Sequence, residues 1–317
     1  MHTPTVIDYE HGISAVDAGY VRPMMAAIHL IVEGGRAALV DTGTNFSIPG
    51  LLAVLQDKGL TPESVDYVML THVHLDHAGG AGGFMRIFPN ARLTVHPRGA
   101  RHMADPAKLI AGTIEVYGAD EARKRYGEIL PVPQERIIET PDGAGIELNG
   151  RAFRFHDAPG HAKHQVAIYD QGSGQVFGGD NFGLSFRELD WGGHQFLFPT
   201  TTPVQFDPPA LHRSVDLIAG LTNSAVYATH FGRLDHVAGK ALTLHRQIDD
   251  LVRIALDHRA AGPERHARMT AAVRDMLLDE AQRYGGPFTP ERALELYESD
   301  CELNAQGLET WLDSESR

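Results

Sequence analysis

Histidine and aspartate side chains that could bind metal ions are concentrated in one short part of the chain. His72, His74, Asp76 and His77 directly follow an apolar run at 67–70 and precede a glycine-rich turn. A loop at the end of a strand can curl so that such side chains converge on one point. Imidazoles and carboxylates together suit a borderline metal such as zinc. The spacing therefore predicts a metal site at the end of a strand.

Three more residues of the same types follow expected strands further along the chain. His161 comes after 152–157, Asp180 after 175–177 and His230 after 225–228, each close to a glycine that lets the backbone bend sharply. The full set is then five histidines and two aspartates. If one carboxylate bridges, these residues make two sites of about four donors each, which fits a two-metal hydrolytic centre.

Apolar runs bounded by glycine, proline or aspartate predict the strands that would position these residues. The expected strands are 25–33, 37–41, 67–70, 92–95, 136–139, 146–148, 152–157, 166–169, 175–177 and 225–228, with helices at 47–58 and 207–221. From about residue 236 the pattern becomes strongly helical, and we expect helices at 238–260, 264–284 and 289–298. The sequence thus predicts an α/β body at 1–237 and a helical C-terminal extension at 238–317.

An aromatic segment at 185–209 has little periodicity of either kind. We interpret it as a long functional loop rather than core. Its phenylalanines have two readings, as packing under the helices or as the wall of a substrate pocket. The tail beyond it is expected either to cap the active site or to form a homodimer, and the pattern does not separate these roles.

Five motifs, in order and spacing, resemble the metallo-β-lactamase-fold superfamily over about residues 20–235. They are Val40-Asp41-Thr42-Gly43, His72-Val73-His74-Leu75-Asp76-His77, Gly160-His161, Gly179-Asp180 and Thr229-His230. Within that superfamily the chain looks most like a hydrolase subgroup close to the glyoxalase II and lactonase branches. The resemblance implies an αββα sandwich of two mixed β-sheets flanked by helices.

The resemblance also implies a role for each residue of the set. It assigns His72, His74 and His161 to one metal. It assigns Asp76, His77 and His230 to the other, with Asp180 bridging the two.

The implied chemistry is hydrolysis of a small carbonyl substrate. Two divalent cations lower the pKa of a shared water from about 15.7 toward about 7, so that a bridging hydroxide can attack an ester, thioester or lactone. Asp76 is the expected catalytic residue, which orients the water and accepts its proton, and Asp41 is implied to brace the metal loops by hydrogen bonding. Zinc is the expected metal, with iron or manganese as alternatives.

Two other functions remain open at this point. One is a di-iron redox or oxygen-binding protein on the same fold, although that branch usually carries glutamate where this chain has His74. The other is a ligand-binding effector that retains some hydrolase activity.

Composition limits the partners and the compartment. The 317 residues carry 28 Lys and Arg against 41 Asp and Glu, a formal charge of −13, which disfavours binding to nucleic acid or to anionic membranes. No run of 18 apolar residues occurs, and the N-terminus lacks the pattern of a secretory signal. The single cysteine, Cys301, is expected to be a buried structural thiol. These features predict a cytoplasmic protein that acts on a small molecule.

Overall fold

A computed structural model describes residues 4–201 and 205–315 of the chain. The strands in this part are β1 Val6–Asp8, β2 Ile13–Asp17, β3 Ala27–Glu33, β4 Arg36–Val40, β5 Val65–Met69, β6 Arg92–Val95, β7 Ile137–Glu139, β8 Gly145–Leu148, β9 Arg151–Asp157, β10 Val166–Asp170, β11 Gln175–Phe177, β12 Val226–Ala228 and β13 Gly232–Leu234. The α-helices are α1 Ile48–Asp57, α2 Leu75–Ala78, α3 Ala81–Ile87, α4 Pro97–Ala104, α5 Ala107–Tyr117, α6 Ala119–Tyr126, α7 Pro208–Leu221, α8 Val237–His258, α9 Arg265–Gln282 and α10 Pro290–Glu315.

The strands form two mixed sheets. The first has seven strands in sequential order, β1 to β7, and the second has six, in the order β13-β12-β11-β10-β9-β8. Strands β4 to β7 run parallel to one another, and β11 runs parallel to β12, whereas the other pairs are antiparallel. Parallel neighbours direct their C-terminal ends to the same edge of a sheet, where loops can bring functional side chains together.

Three hydrophobic clusters show how the layers pack. Between the sheets, Val40 and Met69 of the first sheet meet Phe155 and Phe177 of the second. A second cluster joins the outer face of the first sheet to α1, α3, α4 and α6, and a third joins the second sheet to α7, α8, α9 and α10. Helices therefore cover both outer faces, and the predicted αββα fold class is confirmed.

The helical tail shares its core with the second sheet. Met269 on α9 and Cys301 and Leu308 on α10 are fully buried in the same cluster as strand residues such as Val176. Burial raises the pKa of the Cys301 thiol to about 12, so this thiol is protonated and structural, as expected. None of the helices in the described ranges combines the length and the apolar character needed to cross a bilayer.

Two predictions about local structure are wrong. The last helix does not end at residue 298 but continues to 315. In the aromatic segment, Phe186 and Phe198 are fully buried and pack edge to face with their ring centroids 5.2 Å apart. These phenylalanines belong to the core rather than to a functional loop, because the tail helices cover them.

Candidate metal centre

The predicted ligands follow the C-terminal ends of four strands. Beyond β5 the chain passes through His72 and His74 and then forms the short helix α2, which carries Asp76 and His77. His161 follows β9, Asp180 follows β11 and His230 follows β12. Both sheets thus contribute loops to one place in the sandwich.

Two glycines allow the loops from the second sheet to approach closely. Gly160 has φ +137°, and a Cβ atom there would lie 2.4 Å from the Cα of Leu211. Gly179 has φ +53°, and a Cβ atom there would lie 2.9 Å from the Thr71 side chain. Larger residues would be strained in both conformations, so these glycines fix the paths that lead into His161 and Asp180.

Three imidazoles form the first donor group. The Nε2 atom of His72 lies 2.8 Å from Nδ1 of His74, and Nε2 of His161 lies 3.1 Å from the same Nδ1 atom. The three ligand atoms lie within 4.8 Å of one another. One cation could contact all three nitrogens after a small outward movement of the rings.

Asp76, His77 and His230 form the second donor group. Nε2 of His230 lies 3.2 Å from Oδ2 of Asp76 and 3.3 Å from Nε2 of His77. Their ligand atoms also lie within 4.8 Å of one another. This group offers one carboxylate oxygen and two nitrogens to a cation.

The Asp180 carboxylate lies between the two groups. Its Oδ2 is 3.4 Å from Nε2 of His161 in the first group, whereas its Oδ1 is 3.3 Å from Nε2 of His77 and 3.8 Å from Nε2 of His230 in the second. Oδ1 is buried and has no hydrogen bond within the described part of the chain. Each oxygen is therefore directed at a different donor group.

Asp41 ties together loops from both sheets. This fully buried carboxylate accepts hydrogen bonds from Thr71 N at 2.9 Å and from Thr229 Oγ1 at 2.7 Å. It also lies 2.9 Å from Nδ1 of His77. A carboxylate in this position fixes the orientation of the ring and leaves Nε2 of His77 free to face the centre.

Three further imidazoles, those of His72, His161 and His230, are held in the same way at the nitrogen that faces away from the centre. Nδ1 of His230 lies 2.7 Å from the carbonyl oxygen of Met25, and Nδ1 of His161 lies 3.3 Å from that of Thr200. Nδ1 of His72 lies 3.2 Å from Thr71 Oγ1. These contacts leave Nε2 as the inward-facing atom of each ring.

Burial and local charge adjust the protonation of the first group. Removal from water, together with repulsion from the neighbouring imidazoles, lowers the pKa of His72 and of His74 well below the usual value. Burial also lowers the pKa of His161. All three rings are then neutral at neutral pH, which is the form that binds a metal.

The second group concentrates negative charge. Burial alone would raise the pKa of Asp76 and of Asp180, but the adjacent His77 and His230 outweigh it, and both values fall below the usual range. For His77, burial is outweighed in turn by the carboxylates around it, led by Asp180, so the pKa of this histidine is raised. The proton on His77 compensates the negative charge of the two carboxylates. A metal cation in the same place could provide that compensation instead.

The donor set therefore fits divalent metal ions. Five imidazoles and two carboxylates suit zinc, iron or manganese. Buried Asp180 Oδ1 lacks a hydrogen bond among the described residues and lies 3.3 and 3.8 Å from the inward nitrogens of His77 and His230, so a cation could bind this oxygen together with both rings. The same residues could hold one cation in each group.

A cavity of about 410 Å³ opens onto the centre. Its floor includes Asp76, Asp180 and His230, and its walls come from α5, α6, the segment at 20–25 and α10. Residues of α10 that line it are Ser299, Asp300 and Leu303. The tail therefore covers the centre, which is one of the two roles expected for it.

Two further histidines differ in their position relative to the cavity. His164 lies on the cavity wall, with its ring centroid 5.7 Å from that of His74, and burial together with His161 lowers its pKa to about 3. It is thus a neutral neighbour of the first group. His194 does not line the cavity and stacks on Tyr284, with the ring centroids 3.8 Å apart.

The sequence analysis missed the wall residues. The hydroxyl groups of Tyr20 and Tyr126 lie 3.0 Å apart on one side of the cavity, and the Arg125 guanidinium lies 4.9 Å from the ring centroid of Tyr117. Asp300 faces the same space from α10. No spacing relates these residues to the ligand motifs, so only the packing of α5, α6 and α10 could have identified them.

A family model described as the metallo-beta-lactamase superfamily matches residues 21–230, which include the whole donor set. The chain belongs to this superfamily. The predicted family is thereby confirmed, and the matched range ends at the last of the predicted ligands, His230.

Individual members of the superfamily resemble this chain at low sequence identity. The chain is 24% identical over 204 residues to a metallo-beta-lactamase fold-containing protein of Sulfurisphaera tokodaii, and the match covers 61% of this chain and 68% of the relative. The chain is 28% identical over 189 residues, 59% of its length, to a hydroxyacylglutathione hydrolase of Xanthomonas campestris. The chain spans about half, 54%, of that hydrolase. Hydrolases among the relatives support the expected class of metal-dependent hydrolase.

Solved structures share the fold over almost the whole chain. A metallo-beta-lactamase superfamily protein from Sulfolobus tokodaii has a TM-score of 0.62 at 20% identity and covers 94% of this chain and 98% of its own. A metallo-beta-lactamase family protein from Thermus thermophilus has a TM-score of 0.64 at 21% identity, with coverages of 96% and 94%. At these identities the similarity shows the fold alone.

Proposed function

We propose that this protein is a dinuclear metal-dependent hydrolase of a small carbonyl substrate, either an ester, a thioester or a lactone. The observation that carries the proposal is the Asp180 carboxylate, whose two oxygens are directed at different donor groups. One carboxylate placed in this way suits two cations a few ångströms apart. We propose zinc as the metal, His72, His74 and His161 as ligands of one ion, Asp76, His77 and His230 as ligands of the other, and Asp180 as the bridge.

Two divalent cations held by these residues would supply Lewis acidity and would lower the pKa of water. The chain itself contributes positioning and proton transfer. Asp76 lies at the floor of the cavity and is only partly exposed, with Oδ2 3.2 Å from His230 Nε2. Its ionised carboxylate can orient a water molecule and accept a proton as that water attacks the substrate carbonyl.

The shape and polarity of the cavity support an acyl substrate. Leu109, Val116 and Leu303 give its walls apolar surface, and its polar groups include the predicted metal ligands Asp76, Asp180 and His230. Sites for small molecules are typically mostly apolar with a few polar groups that fix orientation. The relatives named as hydroxyacylglutathione hydrolases act on an acyl derivative, and the same class of bond is what we propose here. That the substrate is a small molecule rather than nucleic acid or membrane, and that the protein is cytoplasmic, stay predictions.

The first test is metal analysis followed by turnover. Purified untagged protein is examined by inductively coupled plasma mass spectrometry, and we expect about two zinc ions per chain, in keeping with a bridged pair. The zinc-loaded protein is then tested on a panel of esters, thioesters and lactones. A coloured protein that holds iron and hydrolyses none of the panel would overturn the proposal.

Single substitutions connect turnover to the donor set. His74→Ala and Asp180→Ala are expected to abolish hydrolysis and to lower the metal content, with circular dichroism unchanged. Asp279→Asn, at an exposed position on α9 that forms no ion pair with a described residue, is the control and should retain full activity. Wild-type turnover in both centre variants would contradict the assignment.

A further inference from the structure

The Asp300 carboxyl is a buried ionisable group on the cavity wall, and the adjacent Ser299 is the hydrogen-bonding side chain that acts on it. Asp300 is only 4% exposed, and its Oδ2 atom has no hydrogen bond within the described ranges of the chain. It also forms no ion pair with any described residue. Burying a carboxyl oxygen without a hydrogen bond is costly, so Oδ2 of Asp300 is a candidate to bind a group that enters the cavity.

The charged groups around Asp300 do not neutralise it. His230 and Arg22 are the positive groups that act on it, but burial outweighs them and raises its pKa to about 7. Nη1 of Arg22 is paired with Glu188, and its guanidinium lies 4.6 Å from the ring centroid of Phe186. Arg22 therefore has an ion-pair partner other than Asp300, and its buried Nη2 has no hydrogen bond with a described residue.

Helix α10 holds Asp300 in a fixed position relative to the metal centre. One turn beyond it, Asn304 Oδ1 accepts a hydrogen bond from Thr201 N at 2.8 Å, and the Asn304 carbonyl accepts one from Thr201 Oγ1 at 3.0 Å. The preceding residue, Thr200, supplies the carbonyl that lies 3.3 Å from Nδ1 of His161. One loop thus connects α10 to a predicted metal ligand.

We propose that Asp300 binds the substrate, accepting a hydrogen bond from an ammonium or hydroxyl group on the part of the molecule that is not cleaved. This inference rests on the hydrolytic function proposed above and specifies its substrate class. Asp300 lines the same cavity as Asp76 and His230, so a molecule whose carbonyl lies at the floor can reach it. A primary ammonium is the strongest such ligand because its charge also compensates the buried carboxylate.

The test uses substrate pairs that differ only at one end. The first series consists of nitrophenyl esters whose short, medium or long acyl chain ends in either an ammonium or a methyl group. The second series consists of alkyl esters in which the alcohol chain, rather than the acyl chain, ends in one of these two groups. The metal-loaded wild type, Asp300→Asn, Asp300→Leu and the exposed control Asp279→Asn are compared by kcat/KM. For at least one chain length, we expect the wild type and the control to prefer the ammonium ester by about 10- to 100-fold. Both Asp300 variants should lose that preference, mainly through KM.

Each outcome bears on one hypothesis. Equal kcat/KM for both members of every pair in the wild type would overturn the role of Asp300 while the hydrolytic function stands. A fall in kcat of the same size on every ester in Asp300→Asn would also overturn it, because that result assigns Asp300 to the chemical step.

A binding measurement separates failure of this inference from failure of the hydrolytic function. If neither these esters nor the thioesters and lactones of the first panel are hydrolysed, the proposed function fails. Calorimetry with the corresponding non-hydrolysable amides then decides about Asp300. Tighter binding of the ammonium-terminated amide by the wild type than by Asp300→Asn supports the inference, and equal affinities refute it.

Discussion

Replacing Asp41 by Asn tests whether hydrogen bonds behind the metal ligands control metal affinity. Asp41 has φ +60°, and asparagine tolerates this left-handed conformation better than most residues. The substitution therefore keeps the backbone and the size of the side chain. It removes the negative charge beside His77 and changes which atoms can accept a hydrogen bond.

The expected cost follows from the contacts of the two carboxylate oxygens. Oδ1 accepts from the backbone N of Thr71, whereas Oδ2 lies within hydrogen-bonding distance of His77 Nδ1 and accepts from Thr229 Oγ1. An amide can present only one oxygen. If the amide oxygen faces His77, the NH₂ group faces Thr71 and the Thr71 N–H is left unpaired. If the amide oxygen faces Thr71, the NH₂ group faces the N–H of His77, and two donors then meet. An unpaired buried donor costs about 1–3 kcal/mol.

The loss should appear mainly as weaker metal binding in the second donor group, because Asp41 orients His77. Loss of such a supporting carboxylate typically weakens metal affinity by about 10- to 100-fold, or about 1.4–2.7 kcal/mol. Titration of the zinc-loaded protein with a competing chelator measures this directly. We expect one of two zinc ions to leave Asp41→Asn at a lower chelator concentration, and the other to be released as in the wild type. Asp279→Asn should match the wild type throughout.

Two results would refute this reasoning. If Asp41→Asn releases both ions at the wild-type chelator concentration, the hydrogen bonds to Asp41 do not control metal affinity. If its melting temperature falls while affinity is unchanged, Asp41 serves the fold alone.

Two further predictions concern stability. Arg151→Met should lower the free energy of unfolding by about 3–5 kcal/mol in urea titrations, because Arg151 pairs with the fully buried Asp170 and the substitution removes the cationic partner of that carboxylate, leaving it only the hydrogen bonds from Gly172 and Ser173. A loss below about 1 kcal/mol would contradict it. For Asp300, the folded state keeps its proton up to about pH 7, whereas the unfolded state releases it near 3.8, so this group lowers stability as the pH rises through that interval. In metal-free protein, Asp300→Asn should therefore melt at a higher temperature than the wild type at pH 8 but not at pH 4, and an equal difference at both pH values would argue against a buried titrating carboxyl.

The metal-binding loops could be predicted from the sequence because the signal is local. Each predicted ligand follows an apolar run within a few residues, as His72 follows β5 and Asp180 follows β11. Such runs become buried strands whichever neighbours they pair with. The loops that carry the predicted ligands converge because the strands before them end at the same edge of the sandwich.

The cavity walls could not be predicted because they depend on packing between distant segments. The predicted end of the last helix, residue 298, lies immediately before Ser299 and Asp300. In the structure these two polar residues face the cavity, while Cys301 and Leu308 on the same helix are buried in the core. Helix α10 thus presents polar residues to the cavity and apolar residues to the core. Only the tertiary structure shows that the polar residues line a cavity rather than contact solvent.

Hydrogen bonds that involve no cation connect the loops of the two sheets around the centre. Asp41, after a strand of the first sheet, bonds Thr229, after a strand of the second, and His230 Nδ1 lies 2.7 Å from the carbonyl of Met25. The packed layer between the sheets adds contacts that do not involve the donors. We therefore expect the chelator-treated protein to keep its circular dichroism spectrum and a cooperative thermal transition. Zinc should raise the melting temperature according to its concentration and affinity, because it binds only the folded state. Loss of the folded spectrum on chelation would show instead that the cations, and not these hydrogen bonds, hold the loops of the two sheets together.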